Sequence, residues 1–241
     1  MSAQDKVKAV QLEAAHALSR ILSQQGILHA FIGGFGVRLL GAPRPTEDID
    51  AIVDISDPLE IVSRIRPLLQ EQDSRFSIEG LKLYFTSEAA QQVRVTVEIL
   101  AVGTLGLPPH ITAFLVMNGM QPSSTPCCTA KANIAKDLPL LSPGILILTK
   151  IKRWVTLSES TRPLSILKAE KDMKDITYLL RWLVEHKENI DFAGYKAAHP
   201  ERLLDAARQL VRIERRNGNA NLLEVLFSVL TEEDLVKIKD G

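Results

Sequence analysis

From Asp5 to Gln25, Val7, Val10, Leu12, Ala14, Leu18, Ile21 and Leu22 recur at helical spacing, and Gly26 follows as a stop. The next apolar run is short. Residues 27–32 (ILHAFI) end on Gly33-Gly34, as a buried strand with an abrupt turn would, and 35–40 (FGVRLL) have room for one or two helical turns before Gly41. Pro43 and Pro45 stop that helix, so a new element starts near Thr46. Over 48–55 (DIDAIVDI) the period becomes two: Asp48, Asp50, Ile52 and Asp54 share one side, and Ile49, Ala51, Val53 and Ile55 the other. Asp57-Pro58 reads as the cap and first residue of a second helix with an inner stripe of Leu59, Val62, Ile65 and Leu69. Strands are expected at 81–85 and 93–100. In the latter Val93, Val95, Val97 and Ile99 share a face and leave Arg94, Thr96 and Glu98 on the other. Weaker strand patterns lie at 112–117 and 127–134.

After Leu141 the pattern is helical throughout: 144–157 behind Ser142-Pro143, then 165–186, 200–216, 220–230 and 231–239. No internal repeat or low-complexity segment interrupts it. The reading is a mixed α/β (α+β) domain over residues 1–140 followed by a helical domain over 141–241. Trp154 and Trp182 are expected to anchor the helical core, and the cluster 212–216 (RIERR) to lie on a solvated face or touch a polyanion.

Composition narrows the function. With 46% hydrophobic residues in 241 the chain can bury a sizeable core, and 29 basic against 29 acidic residues leave no net field toward nucleic acid or membrane. A polyanion would have to meet a local patch. No apolar stretch is long enough to cross a bilayer and residues 1–8 lack an apolar signal core, so a soluble, cytoplasmic protein without membrane contact is expected. Cys127 and Cys128 are adjacent, poorly placed to bridge each other, and read as reduced strand residues. The five histidines are too scattered to argue a metal site.

The chemistry concentrates in residues 31–55. Side chains two apart on a strand share a face, roughly 6.6 Å apart at the backbone, so Asp48 and Asp50 can converge on a hard cation. Glu98, on the polar side of an apolar strand, is the candidate third carboxylate. Gly33-Gly34, at the junction of strand and helix, lets a phosphate approach unpaired backbone amides. The plain alternative is a solvated strand end, which is the expected lot of Asp54; Arg44 and Thr46 either brace the loop or contact substrate. A dinucleotide fingerprint fails because Leu39 stands where its third glycine belongs and the prolines truncate the helix. A calcium loop fails because Ile49 and Ala51 separate the acids and its glycine is missing.

The run Ile32-Gly33-Gly34, Arg38, Arg44-Pro45-Thr46-Glu47-Asp48-Ile49-Asp50-Ala51 resembles the nucleotidyltransferase superfamily, which includes DNA polymerase beta, tRNA CCA-adding enzymes and aminoglycoside nucleotidyltransferases. The resemblance implies a small mixed sheet flanked by helices, with Asp48 and Asp50 as ligands of Mg2+ (or Mn2+) and Glu98 as the third, catalytic carboxylate. It also implies an NTP substrate, ATP among the candidates, with Gly33, Gly34, Arg44 and Thr46 around it. Downstream, 140–154 followed by 168–180 is similar to the helical half of minimal nucleotidyltransferases and abortive-infection toxin proteins. On that likeness Lys150 touches the triphosphate, a role Lys152 could also fill, and Asp172 or Asp175 with Lys168 lines the nucleotide pocket.

The expected activity is therefore transfer of a nucleoside monophosphate from an NTP to an acceptor hydroxyl with release of pyrophosphate. The acceptor stays open between an RNA or tRNA end and a small hydroxylated molecule, and so does the oligomeric state. A nucleotide-sensing or protein-interaction module that keeps the fold without turnover is the alternative.

Overall fold

The computed structural model describes residues 2–88, 93–111, 115–116 and 138–239. They form two compact units, Met1–Leu105 with His110–Leu141, and Gly106–Pro109 with Ser142–Gly241.

The first unit opens with α1 (Ala3–Gln24), closed at its start by a capping box: Asp5 N–H donates to Ser2 Oγ at 3.1 Å, and Ser2 N–H donates back to the Asp5 carboxylate at 3.2 Å. Then come β1 (His29–Ile32), α2 (Gly33–Leu39), β2 (Asp48–Val53), α3 (Arg66–Gln72), β3 (Phe76–Glu79), β4 (Lys82–Thr86), β5 (Arg94–Ala101), β6 (Leu115–Val116) and β7 (Leu140–Leu141). The sheet order is β3-β4-β5-β2-β1-β7-β6. β2 runs parallel to β5 and antiparallel to β1, so the sheet is mixed. One face takes Ile49, Ala51 and Val53 of β2 with Val95, Val97 and Ile99 of β5 into a core shared with Leu18, Ile21 and Leu22 of α1. Burial of each large side chain contributes about 1.5–3 kcal/mol. Alternation sends Asp48, Asp50 and Glu98 to the opposite face.

Two elements depart from the sequence pattern. β3 was not expected, yet Phe76 and Ile78 alternate up to Gly80, whose φ of +59° turns the chain so that Glu79 pairs with Lys82. Leu81, expected at the start of a strand, is 81% exposed in that turn. The second helix opens with a wide π turn over Ile61–Ile65, which rotates the inner stripe. Ile61, Ile65 and Leu69 are buried, while Leu59 and Val62 face solvent. The strand expected at 127–134, Cys127 and Cys128 lie outside the described residues, as does 112–117 apart from the backbone of β6.

The second unit contains α4 (Pro143–Ser158), α5 (Pro163–His186), α6 (Pro200–Arg216), α7 (Ala220–Ser228) and α8 (Glu232–Lys239). Proline opens α4, α5 and α6, where its missing N–H costs nothing, and Ser142 gives α4 no side-chain cap. Trp154 is buried as expected, but Trp182 is half-buried and stacks on His186 at 3.8 Å between ring centroids. Glu214, inside the cluster read as a solvated face, is only 3% exposed. Among the described residues no helix is long and apolar enough to cross a membrane.

His29 on β1 is buried, with Nδ1 3.0 Å from the Ile27 carbonyl and Nε2 2.9 Å from Ser19 Oγ. A carbonyl only accepts, so this network assigns the proton to Nδ1 and makes Nε2 the acceptor of the Ser19 hydroxyl. Desolvation lowers the pKa of His29 from its ordinary 6.5, and the bond to the Ile27 carbonyl offsets part of that. The unfolded chain therefore binds this proton more readily than the folded one, and its stabilising effect is full above pH 6.5 and lost as pH falls from there through the folded value. The melting temperature of the wild type should fall more between pH 7 and pH 5 than that of His29→Gln. Parallel profiles would exclude His29 as the source.

Candidate functional site

The parallel register sets Asp50 opposite Glu98 and Asp48 opposite Thr96. One carboxylate oxygen from each of Asp48, Asp50 and Glu98 lies within 4.8 Å of the others. The aspartates are half-buried and Glu98 is exposed. Like charges so close favour a cation among them, and an all-oxygen donor set suits a hard divalent ion, whose ligands stand about 2.0–2.6 Å from it and so up to roughly 4–5 Å from each other. Asp54, past the end of β2, is not part of this group.

The glycine pair is fitted to the site's own side chains. Ile32 pairs with Asp50 across β1 and β2, and Gly33 follows with φ +65°. A Cβ on Gly33 would overlap the Asp50 carboxylate, and one on Gly34 would overlap the Arg44 guanidinium and stand 3.1 Å from Thr46 Oγ1. Arg44 thus lies over the backbone that the sequence assigned to a phosphate. Thr46 is buried and its hydroxyl donates to Asp48 Oδ1 at 3.1 Å, which fixes that carboxylate.

Gln11 was missed by sequence reasoning. It is fully buried on α1, its Nε2 donates to the Thr46 carbonyl at 3.0 Å, and its Oε1 accepts from the Arg38 guanidinium. Burial pushes Arg38 down to about 10, still cationic at neutral pH, and its guanidinium lies 5.0 Å from the centre of the Phe35 ring. The signal was present: Gln11 shares a helical face with the buried Ala15, Leu18 and Leu22, where an amide needs a partner.

Lys150 and Asp172 belong to the second unit and are held by one another. Lys150 Nζ stands 2.7 Å from Asp175 Oδ2 and 3.3 Å from Asp172 Oδ1, and none of the three is more than 2% exposed. Arg153 donates through Nε to Asp172 Oδ2 at 2.6 Å, while its own side chain is 54% exposed. Two cations balance two carboxylates. Lys152 donates instead to the Gly106 carbonyl at 3.4 Å, and Lys168 is exposed on α5.

The order of elements and the mixed sheet with its flanking helices are those of a nucleotidyltransferase-like fold, as a solved structure shows. No protein-family model matches the chain, and no curated protein does. Among solved structures it matches an antigenic nucleotidyltransferase-like protein from Paracoccidioides brasiliensis over 98% of both chains, with a TM-score of 0.62 at 17% identity. A CD-NTase from Bradyrhizobium diazoefficiens, solved with GTP, aligns over 100% of this chain and 99% of its own at 10% identity, with a TM-score of 0.30. The first likeness shows the fold.

Gly33→Ala should cost about 2 kcal/mol or more in urea unfolding, because a left-handed backbone alone costs an L-residue about 1–2 kcal/mol and the Asp50 carboxylate must also move. Gly34→Ala meets the far end of the long Arg44 side chain and should cost under about 1 kcal/mol; the reverse ranking would contradict this packing. Lys150→Met leaves two buried carboxylates to Arg153 and should cost about 3 kcal/mol or more, whereas Lys152→Met should cost under about 1 kcal/mol in the same assay.

Proposed function

We propose that the chain is a nucleotidyltransferase that moves a nucleoside monophosphate from an NTP, ATP among the candidates, to an acceptor hydroxyl on RNA or on a small molecule, with release of pyrophosphate. The observation that carries this reading is the register-locked trio Asp48, Asp50 and Glu98. These three residues would hold the divalent ion, Mg2+ or Mn2+. Bound there, the ion supplies positive charge at the phosphoryl oxygens.

The remaining roles fall to the chain's own groups. Glu98, the exposed acid of the trio, takes the proton of the acceptor hydroxyl as its oxygen forms a bond to the α-phosphorus and the bond from that phosphorus to the β-phosphate oxygen breaks. Pyrophosphate leaves. Arg44 and the amides of Gly33 and Gly34 hold the triphosphate, with the guanidinium a better match to phosphate than bare backbone. Thr46 keeps Asp48 in place. In this reading residues 1–140 supply catalysis and 141–241 contribute to nucleotide or acceptor binding, with the Lys150–Asp172 pair setting that surface and the half-exposed Arg153 presenting its charge.

Incubation with Mg2+, each of the four NTPs and RNA or small hydroxylated acceptors should release pyrophosphate in the wild type. Asp50→Asn should lower the rate by about 100-fold or more. Mn2+ titration followed by electron paramagnetic resonance should show the same variant losing the ion. Equal release from both proteins would overturn the reading, and NTP binding without pyrophosphate under any acceptor would favour the non-turnover module.

A further inference from the structure

The second unit holds a cavity of about 440 Å³ between α5 and the turn joining α6 to α7, within the size range of small-molecule sites. Its wall includes a carboxylate in an unfavourable place. Glu214 is 3% exposed and sits in the last turn of α6, where the helix dipole disfavours negative charge. Its oxygens accept only from neutral amides, Asn217 Nδ2 at 3.3 Å and Asn219 Nδ2, and no cation among the described residues forms an ion pair with it. Buried charges are ordinarily paired, so a positive group entering the cavity would supply the countercharge that the two amides do not.

Arg181 of α5 lines the same cavity, is exposed, and has no ion-pair partner among the described residues. It would repel a simple cation, as Glu214 would repel a simple anion. Met173, Leu180 and Val225 add apolar wall, and Thr177 adds a hydroxyl. We propose that this cavity binds a free amino acid as its zwitterion, with the ammonium on Glu214, the carboxylate on Arg181 and the side chain against the apolar wall. The ligand makes good a buried charge that the fold leaves uncompensated.

The twenty free amino acids, titrated singly into the full-length chain and followed by calorimetry and thermal shift, supply the test. At least one apolar member should bind saturably and raise the melting temperature. Its N-acetyl and methyl ester derivatives, each lacking one charge, should bind at least ten-fold more weakly to the wild type, and Glu214→Gln and Arg181→Gln should each lose at least ten-fold for the parent compound. Should Glu214→Gln fail to fold, the two derivatives decide the matter on the wild type alone. Absence of saturable binding by all twenty, or affinity unchanged by removal of either charge, would overturn the proposal. The assay needs no NTP or metal, so its outcome is independent of the activity proposed above.

Discussion

The pairing of β2 with β5 is the constraint on which the site depends. Parallel strands exchange hydrogen bonds at even spacing, and a slip of one residue would turn every side chain to the other face. Here a slip would place Asp48 and Asp50 in the core and turn Ile49, Ala51 and Val53 out of it. The apolar face therefore enforces the register, and the register assembles the acids. A core built from Val95, Val97 and Ile99 is in this sense what aims Glu98 at Asp50.

Around that pairing, the polar contacts run inward from α1. Gln11 links α2 and the loop before β2 through one buried amide, and that loop places Thr46 against Asp48. Each group is satisfied by the next, which is the condition for a buried polar chain to hold geometry. The glycines complete it by absence of a side chain: Asp50 occupies the space beside Gly33, and Arg44 the space beside Gly34.

What was legible in the sequence follows from which forces are local. The period of two in 48–55 and 93–100 gave the faces of Asp48, Asp50 and Glu98, because side-chain alternation is a property of a single strand. The mixed sheet flanked by helices was legible as well. The register between the two strands was not, since it depends on residues distant in sequence. The double glycine was read for its openness to a phosphate, and its neighbours Asp50 and Arg44 emerge only when the chain is folded. The hairpin through Gly80 carried a signal in Phe76 and Ile78 that was passed over. The π turn at Ile61–Ile65 left none, because one extra residue in a turn does not alter composition. Gln11 and Glu214 fall on apolar helical faces, which marks them as buried, but the groups that satisfy them emerge only in the fold.

The short segment Gly106–Pro109 interrupts the first unit in sequence yet belongs to the second. Tyr195 donates its hydroxyl to the Gly106 carbonyl, and burial pushes that hydroxyl's pKa upward, so it stays a donor throughout the neutral range. The helical half is consequently discontinuous along the chain. A fragment cut cleanly at Ser142 would lack four of its own residues and leave a buried phenol with no acceptor. For proteolysis or gene dissection, the natural boundary of this protein is a pair of cuts and a graft rather than a single point.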